Sequence, residues 1–400
     1  MTTLFSFLGM GDYQETIYTC GNQEVKTRFV QIAVAKIFKV DKAVIFVTSR
    51  AKDKNAPGLK KEGQEHNVNL SLVDIPETRT EDQIWELFNI LQKNISEKEQ
   101  LIIDITHSFR SIPIVSLACI QYASVIKNAE LKGIYYGSFE SGEEKAPIVN
   151  ITSFLELMDW SRAVANFVEL GEIQSLSQLA NKNTSGIQEK KAKNNLATFV
   201  HNFKKIQEHI LTSRLNQLSQ CDWFHQLKKN LANLRKHQEH LPAPFVHLMD
   251  LLEQKIKLFF AWEEYDIPEE IKRGFGVVSW CIKHDLIQQG YTLLQENLIS
   301  YLCMQSGLDW KKKDPDRRLI PQIPKVIKLD KSEWQSPAKE YPQKVEYIHN
   351  NFENLLELLK QIGELRNNIN HGFGEIKPEV FKNRLVNFVK KLEKILPKKI

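Results

Sequence analysis

The first 150 residues alternate short apolar runs with longer amphipathic segments. The apolar runs cover residues 3–9, 43–48, 67–75, 101–105 and 131–136. Each run has the length of a strand that is buried in a sheet. Amphipathic segments at Phe29–Phe38 and Thr80–Ile95 have the spacing of helices, with Thr80 as a possible N-cap. Strands that alternate with helices indicate an α/β fold with a doubly wound, mostly parallel sheet.

Three segments of the chain are predicted to be a loop, a hairpin and an insertion. The polar segment Ser49–Gly63, which holds Pro57 and Gly58, is predicted to be a loop. Gly21-Asn22 within Ile17–Thr27 predicts a small hairpin. Lys311–Lys344 is rich in prolines and charges, and we expect a long loop or insertion there.

The character of the chain changes near residue 150, after which nearly every segment has helical spacing. The last two predicted helices are Tyr347–His371 and about Pro378–Leu396. We therefore expect an α/β domain over residues 1–155, a helical linker region over 156–270 and a helical domain over 271–400. A chain of 400 residues is long enough for two or three domains.

Composition narrows the class of protein only moderately. The net charge of +5 permits a nucleic-acid partner without requiring one. Five scattered cysteines lack Cys-x-x-Cys spacing, which favours a reducing cytoplasm over a disulfide framework or a structural zinc site. No apolar run approaches the roughly 20 residues of a membrane span. The N-terminal residues are interpreted as a first strand and not as a leader peptide.

The segment Leu101–Lys127 has the local plan of an anion or nucleotide site. A buried strand is followed by the polar turn Thr106–Ser111 and then by an apolar helix with Pro113 in its first turn. A helix N-terminus offers free N–H groups and a partial positive charge to an anion. An ordinary strand-to-helix turn explains the same residues equally well. The strand ends at Gly9, Thr48 and Thr106 are expected to line one cleft, because parallel strands share an edge.

A second group of chemically useful residues ends the helix Tyr347–His371. Arg366, Asn367 and His371 are followed by Gly372, a natural residue for the end of a helix. Histidine serves as a general acid or base, and arginine stabilises charge on a phosphate. Five residues on one helix separate Arg366 and His371 by about 140°, so one helix aims them poorly at one phosphate. The alternatives are that two protomers combine, or that His371 merely complements the helix dipole.

Both groups of residues resemble known families. The segments TLFSFLGMGDYQETIY, VTSRA and DITHSFRSIP resemble a CARF domain, the Rossmann-like sensor of CRISPR-associated proteins. RNNINH resembles the HEPN ribonuclease signature, and IQQGYTLLQENLISYL resembles the helix that precedes it. The resemblance covers most of residues 1–155 and about 275–400. It implies an α/β Rossmann-like CARF domain, then an all-α region ending in a HEPN domain, as in CARF–HEPN ribonucleases of the Csx type.

The resemblance implies an antiviral, cytoplasmic endoribonuclease of a type III CRISPR system. Cyclic oligoadenylate, with the tetra-adenylate favoured over the hexa-adenylate, would bind across the CARF domains of a homodimer or a multiple of dimers. It would activate metal-independent cleavage of single-stranded RNA that leaves 2′,3′-cyclic phosphate ends. Arg366 would stabilise the phosphate, His371 would transfer a proton and Asn367 would hold the geometry. The messenger contacts would be Gly9, Met10, Gly11, Asp12, Tyr13, Thr48, Ser49, Thr106, His107, Ser108, Phe109, Arg110 and Ser111.

Two other functions remain open at this point. A messenger-gated regulator that binds nucleic acid would need a compact helix-turn-helix, and only Ser213–Arg235 comes near one. A ring nuclease that degrades its own messenger would use His107, which otherwise serves as a hydrogen-bond donor. Arg235 and His240 repeat the Arg366–His371 spacing but are interpreted as a solvated or RNA-facing surface.

Overall fold

The structure is a computed structural model that describes residues 1–107, 112–140, 144–184, 187–241, 243–372 and 375–399. It divides into two compact units, Met1–Leu157 and Met158–Ile400. The first unit is built on a sheet and the second is helical. Each unit is described by itself below.

The first unit contains one eight-stranded sheet. Its strands are β1 (Thr2–Leu8), β2 (Thr16–Cys20), β3 (Gln23–Thr27), β4 (Lys42–Val47), β5 (Leu70–Asp74), β6 (Gln100–Asp104), β7 (Glu130–Gly137) and β8 (Lys145–Asn150). The strand order is β3-β2-β8-β7-β6-β1-β4-β5. The five strands from β7 to β5 are parallel, whereas β8 is antiparallel to β7 and β3 is antiparallel to β2. This arrangement confirms the predicted α/β class, and β2 and β3 form the predicted hairpin.

Helices cover both faces of this sheet. They are α1 (Val30–Ile37), α2 (Ser49–Glu65), α3 (Glu81–Lys93) and α4 (Ile112–Ile126). Residues from α1 and α2 belong to one buried cluster, and residues from α3 and α4 belong to another. The parallel strands are buried on both faces, which explains their continuous apolar runs. The Thr80 side chain accepts a hydrogen bond from the N–H of Gln83 and caps α3, as predicted.

The predicted loop over residues 49–63 is wrong, because this segment is helix α2. Pro57 and Gly58 favoured a break, but the helix continues through both. Ala51, Ala56 and Leu59 are buried and fix one face of α2 to the sheet. Proline removes only one helical hydrogen bond, and tertiary burial outweighs that loss here. Strand β8 was not predicted at all.

The second unit is an assembly of helices around one buried core, which extends from Trp160 to Leu396. Its helices are α5 (Ser153–Leu170), α6 (Gln174–Thr184), α7 (Lys190–Leu211), α8 (Leu215–Gln220), α9 (Trp223–Lys236), α10 (Ala243–Ile256), α11 (Glu269–Lys283), α12 (Ile287–Gln305), α13 (Ile323–Val326), α14 (Pro342–His371) and α15 (Pro378–Ile395). The division of the helical region at residue 270 stays a prediction.

The proline-rich insertion after α12 is packed and is not an open loop. It consists of short helical turns, and Leu319, Ile320 and Trp334 are buried against the core. Arg317 anchors it to α12, because its guanidinium donates to Ser300 Oγ at 2.6 Å and to a Glu296 carboxylate oxygen at 2.7 Å. It also donates to the carbonyl of Trp310 at 2.9 Å. Charge-assisted bonds of this kind are stronger than neutral ones.

Close packing of α11 generates a prediction about stability. A Cβ atom on Gly276 would lie 2.2 Å from the carbonyl oxygen of Phe259, whereas one on Gly363 in α14 would have no contact shorter than 3.6 Å. Gly276→Ala should therefore lower the free energy of unfolding by about 1–3 kcal/mol. Gly363→Ala should raise it by about 0.5–1 kcal/mol, because alanine favours a helix interior. Urea unfolding followed by circular dichroism measures both, and equal effects of the two substitutions would contradict the packing.

Candidate functional site

The first candidate site lies at the carboxyl edge of the parallel sheet. Strands β6, β1 and β4 are neighbours and run in the same direction. The residues that follow them, Thr106, Gly9 and Thr48, are therefore at one edge, as the sequence predicted. Gly9 and His107 lie in contact, because a Cβ atom on Gly9 would be 3.4 Å from the Cβ atom of His107.

Asp104, whose carboxylate is fully buried, ends β6 and joins the strands at this edge through hydrogen bonds. It accepts a hydrogen bond from the Ser6 hydroxyl at 2.6 Å and one from the Thr106 N–H at 3.0 Å. The Thr106 hydroxyl also donates to Asp104, and it accepts from the N–H of Gly137 at 2.8 Å. Burial raises the pKa of Asp104 more than these bonds lower it. The network joins β1, β6 and β7 where the loop begins.

His107 is held at the same edge in its neutral form. Its ring lies edge-on to the ring of Tyr13, with 4.6 Å between the centroids. Burial lowers the pKa of His107, and the nearby Asp104 opposes that effect only partly. Its Nε2 atom is buried and has no hydrogen-bond partner among the described residues. A neutral imidazole with an unused nitrogen can accept or donate one hydrogen bond to a ligand.

The loop Gly9–Tyr13 is fixed in place by its own aromatic residue and by α2. The Tyr13 hydroxyl accepts a hydrogen bond from the Gly9 N–H at 2.9 Å, and burial raises the pKa of Tyr13 to about 12. Asn55 donates to the carbonyls of Gly9 and Gly11 at 2.9 and 3.1 Å. Lys54 donates to the carbonyl of Met10 at 2.9 Å and pairs with Asp12 at 2.7 Å. Met10 is left exposed.

Sequence reasoning missed Asn55 and Lys54 because it interpreted residues 49–63 as a loop. Their contacts with the loop Gly9–Tyr13 join residues more than 40 positions apart, so no local pattern in the sequence shows them. Thr48 occupies the N-cap position of α2 in an extended conformation, with Ser49 exposed as the first helical residue. The Thr48 hydroxyl is buried and has no partner among the described residues. Four predicted contacts, Ser108, Phe109, Arg110 and Ser111, lie outside the described residues.

The second candidate site is the C-terminal end of α14. Helical geometry continues from residue 353 to His371, and Gly372 ends the helix in the left-handed region with φ of 65°. Asn367 and His371 are one turn apart and exposed. Arg366 is half-buried, and its Nε atom has no hydrogen-bond partner among the described residues. Because the helix is regular over these residues, Arg366 and His371 point about 140° apart in the folded protein, as the spacing predicted.

The packing of α14 on α12 explains where Arg366 points. Gln288 in α12 donates to Asn370 at 3.1 Å, and Gln295 lies beside Gly363. These two contacts are seven residues apart on both helices, so Tyr291 and Thr292 lie at the level of Arg366 along the helix pair. Around α14, Arg366 and Asn367 lie about 50° to either side of the direction shared by Gly363 and Asn370, and His371 lies about 90° from that direction.

Arg235 and Glu296 are both paired with oppositely charged side chains in the structure. Arg235 donates to Asp250 at 2.5 Å and to Glu253 at 2.7 Å, so carboxylates balance its charge. Glu296 is occupied by Arg317. In the described ranges, no group of three histidine, cysteine or acidic side chains is placed to hold a metal ion. None of the described helices has both the length and the apolar character to cross a membrane.

A Rossmann-like sheet with polar residues at its carboxyl edge is the arrangement in which open α/β sheets bind their ligands. Residues 3–140 match the family described as CRISPR system endoribonuclease Csx1, CARF domain. The N-terminal unit therefore resembles a CARF domain over residues 3–140, about a third of the chain.

A relative among curated proteins agrees with this class. CRISPR-associated protein MJ1674 of Methanocaldococcus jannaschii is 26% identical to the chain over 227 residues. The match covers 56% of this chain and 32% of the relative, so the chain spans about a third of that protein's length. Both comparisons support a CRISPR-associated protein with a CARF domain.

The contacts of Asn55 generate a prediction about messenger binding. Asn55→Ala removes two hydrogen bonds that hold the loop Gly9–Tyr13 and should weaken binding of cyclic tetra-adenylate about tenfold. Asn69→Ala is the matched control. Asn69, just before β5, donates a hydrogen bond to the carbonyl of Asp41, just before β4, at the opposite edge of the sheet. Isothermal titration calorimetry of the full chain measures both. Equal affinities for Asn55→Ala and the wild type would exclude this positioning role.

Proposed function

We propose that the protein is an endoribonuclease activated by cyclic oligoadenylate and that it cleaves single-stranded RNA without a metal ion in the cytoplasm. The observation that carries this proposal is the end of α14. There a half-buried arginine, whose Nε atom has no hydrogen-bond partner among the described residues, and an exposed histidine occur in one chain with a match to a CARF domain. The RNNINH segment gives that helix end the residues that phosphodiester cleavage needs.

The proposed reaction uses the RNA as its own nucleophile. His371 takes the proton from a ribose 2′-hydroxyl, and the 2′-oxygen attacks the adjacent phosphorus. The bond to the 5′-oxygen breaks, and that oxygen receives a proton from the His371 of a second copy. Arg366 stabilises the negative charge that develops on the non-bridging oxygens. The products carry a 2′,3′-cyclic phosphate and a 5′-hydroxyl, and Asn367 orients the scissile group.

A dimer resolves the mismatch in direction between Arg366 and His371. Within one α14 they point about 140° apart, so a second α14 has to complete the set around one phosphate. A homodimer places two arginines and two histidines around a shared cleft. Higher multiples of such a dimer would repeat the same cleft.

The CARF domain offers a surface on which two copies can meet. Helix α4 exposes Ile114, Tyr122 and Val125 along one side, and Trp85 of α3 is exposed as well. Large exposed apolar side chains at helical spacing are typical of a protein interface. Helix α4 begins directly after the Thr106–Ser111 segment, so pairing of two α4 helices brings two messenger-binding edges together. A cyclic ligand with two-fold symmetry fits such a pair, and the tetra-adenylate is the ring we favour.

The catalytic assignment predicts the effect of two substitutions. Arg366→Ala and His371→Ala should each lower messenger-stimulated RNA cleavage about 10²- to 10⁴-fold, because each removes charge stabilisation or proton transfer. A fluorogenic single-stranded RNA in EDTA, with cyclic tetra-adenylate and then cyclic hexa-adenylate, measures this loss. Messenger binding should be unchanged in both variants.

His349→Ala is the matched control for the catalytic substitutions. His349 lies in α14 on the other side of the kink at Phe352, 22 residues before His371, and its removal should leave cleavage intact. Full activity of both Arg366→Ala and His371→Ala would refute the assignment. If the wild type cleaves no RNA with either ring, the proposal of a ribonuclease fails.

The α4 surface predicts how the dimer can be broken. A combined Ile114→Glu and Val125→Glu variant should shift the protein toward monomer, because it buries like charges at the interface. Sedimentation velocity measures the association, and the messenger response should be lost in parallel. Leu211→Glu in α7 introduces the same charge at another exposed apolar position. An unchanged dimer in the α4 variant, or an equal loss in the control, would contradict this interface.

A further inference from the structure

A groove of about 710 Å³ lies between α14 and α15 in the helical unit. On the α14 side its walls include Glu364 and Asn368, and on the α15 side they include Arg384, Lys390, Lys391 and Lys394. Leu365 and Phe388 form an apolar floor. Four basic side chains thus face a single carboxylate across an open groove.

The charge of this groove is uncompensated. None of its four basic residues has an ion-pair partner within the described part of the chain. The neighbouring basic residues differ in this respect, since Lys382 pairs with Asp285 at 2.5 Å and Lys398 pairs with Glu264 at 3.2 Å. Clustered cations without counter-charges raise the local concentration of an anionic ligand.

The groove lies on the same side of α14 as His371. Glu364 lines the groove and precedes His371 by seven residues, which differ by only about 20° around a helix. Asn368 also lines the groove and is within about 60° of His371. Arg366 is on the other side, toward α12. The lining residues on α14 run from Gln361 to Asn368, about 10 Å along the helix, and end about one turn before His371.

We infer that this groove holds the phosphate backbone of the single-stranded RNA substrate on its path to His371. This inference rests on the proposed function and adds the residues that bind RNA beyond the cleaved phosphate. Arg384, Lys390, Lys391 and Lys394 neutralise successive phosphates, and the amide of Asn368 donates hydrogen bonds to the same strand. Contacts of this kind bind RNA without reading its sequence.

A single strand fits these observations better than a small anion or an acidic peptide. The basic residues are spread over ten residues of α15, or about 15 Å, which exceeds one phosphate group. The groove also leads toward the residue that we propose transfers the proton. An acidic peptide has no reason to follow a path that ends at His371.

The test removes the three lysines of the groove in the full-length protein. The Lys390→Ala, Lys391→Ala, Lys394→Ala variant should raise the Kd for single-stranded RNA about tenfold at low salt. The slope of log K against log salt should fall by about 2, because each phosphate contact on a single strand contributes about 0.7. The probe is a fluorescein-labelled 2′-O-methyl RNA, which lacks the attacking hydroxyl, read by fluorescence anisotropy.

Two control variants accompany this measurement. Lys204→Ala, Lys229→Ala, Lys257→Ala removes three exposed lysines from other helices of the same unit and should leave the Kd and the slope unchanged. The Lys390→Arg, Lys391→Arg, Lys394→Arg variant keeps the charge and should bind RNA as the wild type does. Its binding also shows that substitution at these positions leaves the fold intact.

Cleavage separates this inference from the proposed function. With unmodified RNA and messenger, the triple alanine variant should raise KM about tenfold and leave kcat within about threefold, because it removes binding and not chemistry. Unchanged Kd, slope and KM in an active enzyme would overturn the groove while the proposed function stands. An inactive wild type would overturn the proposed function, and the anisotropy measurement would still decide the groove. Preference for a polyglutamate peptide over RNA would also refute the inference.

Discussion

The carboxylate of Asp104 ties three neighbouring strands together beneath the ligand-binding edge. It accepts hydrogen bonds from Ser6 on β1 and from Thr106 after β6, and Thr106 in turn accepts from Gly137 on β7. A buried carboxylate is costly unless its oxygens are satisfied. These hydrogen bonds fix the ends of β1, β6 and β7 relative to one another, and Gly9 and His107 directly follow two of these ends.

The sheet was predictable because parallel strands are buried on both faces and leave continuous apolar runs in the sequence. The hairpin at Gly21 and the cap at Thr80 were predictable because each rests on neighbouring residues alone. Helix α2 was not, because Pro57 and Gly58 are local breakers that tertiary burial of Ala51 and Leu59 overrides. Strand β8 pairs with β7 and β2. The pairing of one strand with another leaves no local pattern in the sequence, so β8 was missed.

The same distinction holds for the candidate sites. The edge shared by Gly9, Thr48 and Thr106 followed from strand direction, and the divergence of Arg366 and His371 followed from the helical repeat. Asn55 became visible only when the fold brought α2 beside the glycine loop. The cations of α15 were not singled out from the sequence, since sequence does not show whether a lysine has a counter-charge. The ion pairs of Arg235 required the fold for the same reason.

Both candidate sites are incomplete in one copy of the chain, for different physical reasons. Under the proposed function, a messenger at the sheet edge supplies a partner to Thr48 Oγ1 and His107 Nε2, which are buried and have none among the described residues. The end of α14 presents its arginine and its histidine in different directions, which a single ligand cannot correct. A messenger stimulates cleavage only if it binds the competent arrangement of two protomers more tightly than the others. Under the proposed function, substrate RNA must then favour messenger binding by the same free energy, because linkage between two sites is reciprocal.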